Sequence, residues 1–299
     1  MWGAAATLPL AACSSVGSSS AAGSGGAGRL AVVAAENAWG SVAAQLGGDR
    51  VMVTSIVTNP DADPHAYEPT PADARAVATA RYVIVNGVGY DPWAPKLLAA
   101  NSQRGRAVLD VGNLVGVKRG GNPHRWYSPP DVHHVIDQIT ADYKRLAPAE
   151  GAYFDQQRAT FISTALAPYS SLIANIRARY ARTPVGASES IFSPLADALD
   201  LDVVTPASFL EATSEGSEPT AADKATCDTQ ITSHRIKAYV VNSQNSTPDV
   251  RAQVEEARAS GIPIVSVTET LAPPGATFQD WQVGQLQSLE AALARATGR

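Results

Sequence analysis

The feature that most constrains this chain is an alternation of strand-like and helix-like segments that occurs twice along its 299 residues. Short apolar runs at 30–35, 51–57, 82–86 and 107–111 alternate with helically spaced stretches at 38–46, 71–80 and 93–100, and a further helix opens near Pro129. A second set follows, with strands at 184–188, 202–205, 238–242 and 263–268 and helices near 191–199, 221–233, 248–260 and 278–296. Such alternation predicts a parallel sheet covered by helices on both faces. Between the two sets, Phe154, Phe161, Leu166, Leu172, Ile176 and Tyr180 recur at helical spacing. They predict one long connecting helix, kinked at Pro168, where a backbone donor is missing and the ring clashes with the preceding turn. The predicted class is α/β: two lobes, 29–147 and 183–299, joined by a connecting helix at 148–182. The chain is long enough for each lobe to hold its own apolar core. Thr70-Pro71-Ala72-Asp73 and Ser128-Pro129-Pro130-Asp131 each predict a helix start, with a capping hydroxyl, a proline in the first turn and an early acid.

Residues 1–28 read as a targeting segment and tether. The apolar run from Trp2 to Ala12 ends in Leu10-Ala11-Ala12-Cys13, which resembles a lipobox. Cys13 is then the lipid-attachment site and the mature N-terminus. No Lys or Arg precedes the run, as a secretory leader requires, which a start codon set too far downstream would explain. Ser14 to Gly28 is a Gly/Ser tether unable to pack a core. With Cys13 lipidated, Cys227 is left as an unpaired, buried thiol in a helix. No run of eighteen apolar residues exists to span a bilayer. A formal net charge of -5 argues against a nucleic-acid partner.

Ligands of open α/β sheets bind beyond the carboxyl ends of the strands. There the first lobe offers His65, after the strand at 51–57, and His124, in the long loop after 107–111. In the second lobe the strand at 184–188 runs into Glu189, and that at 263–268 runs into Glu269. Two imidazoles and two carboxylates can enclose a divalent cation, at about 2.0–2.2 Å per contact for zinc. The same donors suit manganese or ferrous iron. No Walker loop occurs, and no G-x-G-x-x-G follows a strand to open a helix, so no nucleotide site is predicted.

Two segments, Asp63-Pro64-His65-Ala66-Tyr67-Glu68-Pro69-Thr70-Pro71 and Asn122-Pro123-His124-Arg125-Trp126-Tyr127-Ser128-Pro129, carry a resemblance. From the tether onward the chain resembles the metal-binding solute receptors of ABC transporters, the zinc and manganese group. Glu189-Ser190-Ile191-Phe192-Ser193-Pro194 is similar to the segment holding that family's third ligand, with proline replacing its aromatic. Glu215 to Asp223 looks like the family's connection into its next helix. The resemblance implies a metal site of His65, His124, Glu189 and Glu269 in the cleft between the lobes, with Asp280 as the alternative fourth ligand. It implies one divalent transition-metal ion (Mn, Zn or Fe) per chain as cargo, no catalysis, and delivery to an ABC transporter permease. The receptor would be an extracytoplasmic monomer, lipid-anchored to the outer face of the cytoplasmic membrane. A glutamate at the third position goes in this family more often with manganese or iron. With one or both carboxylates bidentate beside two imidazoles, the four residues would supply five or six donors, a number that suits manganese.

Glu189 also reads as a helix N-terminal acid. His133, His134 and His234 read as surface or packing residues, and Tyr67, Trp93 and Trp126 as cleft wall or core. Two other functions compete: a receptor for a metal chelate such as a siderophore, and a zinc-dependent hydrolase. The first would want arginines and aromatics at the cleft. The second would want an open coordination position, and no H-E-x-x-H helix occurs. Only Gly116 to Asn122 stands where many zinc receptors of the family carry a histidine-rich loop.

Overall fold

Val32, Val33, Ala34 and Ala35 are all buried, as a strand covered on both faces requires. They belong to β1 (Leu30–Glu36), which pairs in parallel with β2 (Val51–Val57) and β3 (Tyr82–Val85), while β4 (Ala107–Asp110) adds to β3. The order is β2-β1-β3-β4. The structure, a computed structural model, describes residues 1–3, 28–61 and 64–299; Cys13 and all but the last residue of the tether lie outside the described residues. Helices α1 (Asn37–Gly47), α2 (Pro71–Thr79), α3 (Ala94–Ala100), α4 (Val111–Val115) and α5 (Pro129–Leu146) complete the first half.

The two helix starts behave differently. Thr70 accepts from the Asp73 amide, and the Asp73 carboxylate accepts from the Thr70 amide at 2.6 Å, a closed capping box. Ser128 occupies the cap position of α5 without a side-chain cap bond, and the Asp131 carboxylate faces Arg125, 2.7 Å from its Nε.

The connection is helical but not one helix. It runs as α6 (Gly151–Thr160), a π-turn at Phe161–Ala165, and α7 (Ala167–Tyr180). The Leu166 amide reaches back five residues to the Phe161 carbonyl at 2.9 Å. The wide turn falls just ahead of Pro168, making room where its ring would meet the carbonyl four residues back. The break therefore precedes the proline expected to kink it.

The second half repeats the first. Strands β5 (Pro184–Ala187), β6 (Asp202–Val203), β7 (Tyr239–Asn242) and β8 (Ile264–Val267) pair in parallel in the order β6-β5-β7-β8. Helices α8 (Ser193–Leu199), α9 (Ala207–Ser214), α10 (Ala221–Thr232), α11 (Pro248–Ala259) and α12 (Phe278–Thr297) surround them. Each sheet reverses its winding beside its first strand, and a crevice opens at the carboxyl ends there.

The expected separate cores are only partly separate. Alternate residues of β1 divide: Val33 and Ala35 join an outer cluster with Ile56 and Val83, while Val32 and Ala34 join a larger one. That larger cluster runs without interruption from Trp39 through Phe154 and Ile176 to Leu195, Val240 and Leu286. The inner faces of both halves thus share one interior, with α12 lying against both α7 and α1. Cys227 is buried in α10 with a free thiol, pushed up to about 12 by burial. No helix among the described residues is long and apolar enough to cross a membrane.

Candidate metal centre

His65 sits on a short turn (Pro64–Ala66) in the loop after β2, its ring 4.9 Å from that of Tyr90 and its side chain 28% exposed. His124 is fully buried, in the loop ahead of α5. Its Nδ1 lies 3.0 Å from Asn122 Oδ1, and the Asn122 amide nitrogen is committed to the Ser190 carbonyl at 2.6 Å. The acceptor atom therefore faces the ring, so that in the neutral imidazole Nδ1 carries the hydrogen and Nε2 keeps its lone pair for the cleft.

Glu269 follows β8 and comes from the other half. Its Oε2 is 3.3 Å from His65 Nε2 and 3.6 Å from His124 Nε2, and the donor atoms of all three residues lie within 4.8 Å of one another. Two donors about 2.1 Å from a shared ion at the tetrahedral angle stand roughly 3.4 Å apart, so the spacing is that of a coordination shell. The Tyr90 hydroxyl donates to the same Oε2 at 2.7 Å. Burial pushes the Glu269 carboxyl up, but hydrogen bonds and positive charge from His124 and His65 hold it well below the usual range.

Glu189 leaves β5 in extended backbone and is fully buried beside this trio without being one of it. Its Oε1 accepts from Asn242 at 2.6 Å and its Oε2 from Asn245 at 2.7 Å. The same Asn242 nitrogen donates to Glu269 Oε1 at 2.7 Å, so one amide joins the two carboxylates. Burial pushes the Glu189 carboxyl up, with the His124 charge opposing and the Glu269 charge adding. Glu189 makes no helix-cap bond. Asp280 is not at the centre: it lies in the first turn of α12, which Thr277 caps, and its carboxylate accepts from Thr277 Oγ1 at 2.6 Å. His133 and His134 lie on α5, and His234 is exposed after α10. Trp126 is core, with its ring 5.6 Å from His124, while Tyr67 and Trp93 pack together at 5.5 Å.

Sequence reading passed over Tyr90 and the run Asn242-Ser243-Gln244-Asn245. The available signal was position, since the run leaves a strand on the ligand edge. It also passed over a buried acid pair at the first sheet's crevice. Burial and the Asp91 charge push the Glu36 carboxyl well up. Burial likewise pushes Asp91 up to about 6, although it accepts from the amides of Asn86 (2.8 Å) and Gly87 (2.9 Å). An acid raised in the folded state binds its proton more tightly there, so its contribution is lost as pH climbs from the unfolded value through the folded one. Glu36→Gln is expected to stabilise the chain at pH 8 by about 1–3 kcal/mol, the usual cost of a poorly paired buried group. It should do little at pH 4. Urea unfolding at both values checks this; a variant weaker than wild type at pH 8 would mean that the carboxylate is well paired.

The sequence profile of the family described as ZnuA, zinc-uptake complex component A, periplasmic, matches residues 32–292. The iron-binding protein YfeA of Yersinia pestis is 28% identical over 166 residues, 52% of this chain and 52% of that protein. The manganese-binding lipoprotein MntA of Halalkalibacterium halodurans is 30% identical over 118 residues, 38% of each. The chain thus spans about half the length of the first relative (52%) and less of the second (38%). The SBP FpvC of Pseudomonas aeruginosa, solved in complex with Mn2+, matches at a TM-score of 0.72 and 19% identity, over 90% of this chain and 99% of that one. At that identity the likeness speaks for the fold.

Proposed function

The chain belongs to the ZnuA family of periplasmic zinc-uptake components, and from that premise we propose that it captures one divalent transition-metal ion between its lobes and hands it to the permease of an ABC importer. The lobes are residues 29–147 and 183–299, joined by the connection at 148–182. The ligands are His65, His124, Glu269 and Glu189. Cys13 carries the lipid that keeps the receptor, a monomer, at the outer face of the cytoplasmic membrane. The observation that carries the reading is the meeting of two imidazole Nε2 atoms from one half with Glu269 Oε2 from the other, at 3.3 and 3.6 Å. Relatives named for binding iron and manganese add support. The cargo leaves unchanged, so the site needs no catalytic group.

The test uses protein isolated without chelator from membranes of cells given labelled fatty acid. Elemental analysis is expected to find about one metal ion per chain. Reloading the stripped protein at a hundred times Kd should add about 2.7 kcal/mol of stability, as for any ligand that binds only the folded state. Identical melting of stripped and reloaded protein would show that the site is misassigned. Label retained by Cys13→Ala would move the anchor elsewhere.

A further inference from the structure

Asn242 ends β7, the strand between β5 and β8, and is fully buried. The strand order therefore sets its amide between Glu189, which leaves β5, and Glu269, which follows β8. An amide nitrogen has two hydrogens. Here one goes to Glu189 Oε1 at 2.6 Å and the other to Glu269 Oε1 at 2.7 Å. The amide cannot be turned over, because its Oδ1 accepts from the Gln244 backbone at 3.0 Å. Glu269 consequently turns Oε2 alone toward the imidazoles, and the Tyr90 hydroxyl braces that atom from the other side. Glu189 is held at both ends, by Asn242 and by Asn245. The loop's third carboxamide fixes the backbone: Gln244 Oε1 accepts from the amides of Glu269 (2.7 Å) and Thr270 (3.0 Å).

Bidentate binding requires a carboxylate to swing until both oxygens face the ion. A carboxylate hydrogen-bonded through Oε1 to a fixed donor keeps its plane and offers one lone pair of Oε2. Glu189, pinned through both oxygens by Asn242 and Asn245, cannot swing either, so only the oxygen nearer the ion offers it a lone pair. Resting on the receptor reading above, we infer that Asn242 is a specificity-determining residue that holds Glu189 and Glu269 to one donor oxygen each. The shell then has four donors, two nitrogens and two oxygens. That is the number zinc takes, whereas manganese is served by more oxygen donors. The site discriminates towards zinc through a neutral side chain that never touches the metal.

Stripped full-length protein is titrated separately with zinc and manganese, and with cobalt(II) as an optical probe of coordination number, in wild type, Asn242→Ala and Asn245→Ala. Wild type should prefer zinc and give the intense visible bands of four-coordinate cobalt. In Asn242→Ala, zinc affinity should fall by about 10–100-fold, the range for partners that orient metal ligands. Manganese affinity should fall far less, moving the zinc-to-manganese ratio by about tenfold or more, and the cobalt bands should weaken as coordination number rises. Asn245→Ala, which frees Glu189 alone, should move ratio and spectrum the same way by less. It carries the test if Asn242→Ala does not fold, as judged by circular dichroism. An unchanged ratio and cobalt spectrum in variants that fold and bind would overturn the inference while leaving the receptor reading intact. A wild type that binds none of the three metals would overturn that reading, and the inference with it.

Discussion

His124→Ala is expected to abolish metal-dependent stabilisation, the largest functional loss available from a single substitution in this chain. The side chain is fully buried, and its ring is oriented by Asn122 so that Nε2 faces Glu269. An alanine there leaves one imidazole, and water would have to enter a site walled by Trp126 and Tyr90 to replace the lost donor. The buried Glu269 would also lose one of the neighbours that hold its carboxyl low. The stripped variant therefore has to be compared with its own metal-soaked form. The gain of about 2.7 kcal/mol expected of wild type at a hundredfold excess over its Kd should fall to nothing at the same metal concentration. Differential scanning calorimetry with and without metal reads this directly, and a shift equal to that of wild type would remove His124 from the ligand set.

Phe278→Ala is expected to cost about 3–5 kcal/mol, the range for deleting a buried aromatic ring. Phe278 opens α12, is fully buried, and has its ring 6.2 Å from Tyr169 of α7 and 6.0 Å from Trp281. Its amide donates to Ser41 Oγ of α1 at 2.9 Å, so it touches the first half, the connection and the second half together. A domain's net stability of about 5–15 kcal/mol makes this loss a large share of the whole. The urea midpoint should drop in one transition. Fluorescence of Trp39 and Trp126 in the first half and of Trp281 in the second should change together. Two separated transitions would mean that the shared interior does not couple the halves.

The sheets were legible because parallel strands buried on both faces read as apolar runs, and helices have to lie between them. Helix α9 was not, since Ala207–Ser214 is only two turns long and opens after Pro206 without a capping side chain. The single interior escaped for a different reason: periodicity marks which residues are buried but not which element they are buried against. His65, His124 and Glu269 were legible because strand ends set their place in the chain. The carboxamides were not, since Asn, Ser and Gln after a strand are ordinary turn residues until their partners are known. That omission has a chemical cost, for it is Asn242 that argues against the bidentate carboxylates expected from the implied ligand set.

Two halves with a common interior have no free hinge. Separating them would expose the cluster that runs from Trp39 to Leu286. Glu189, Glu269 and His124 are all sealed, whereas the His65 side chain is 28% exposed on a short turn. Binding segments that must open are drawn from the least stable parts of a fold. On the receptor reading proposed above, His65 is the ligand nearest solvent, and freeing it would cost a small fraction of the work of prising the molecule apart.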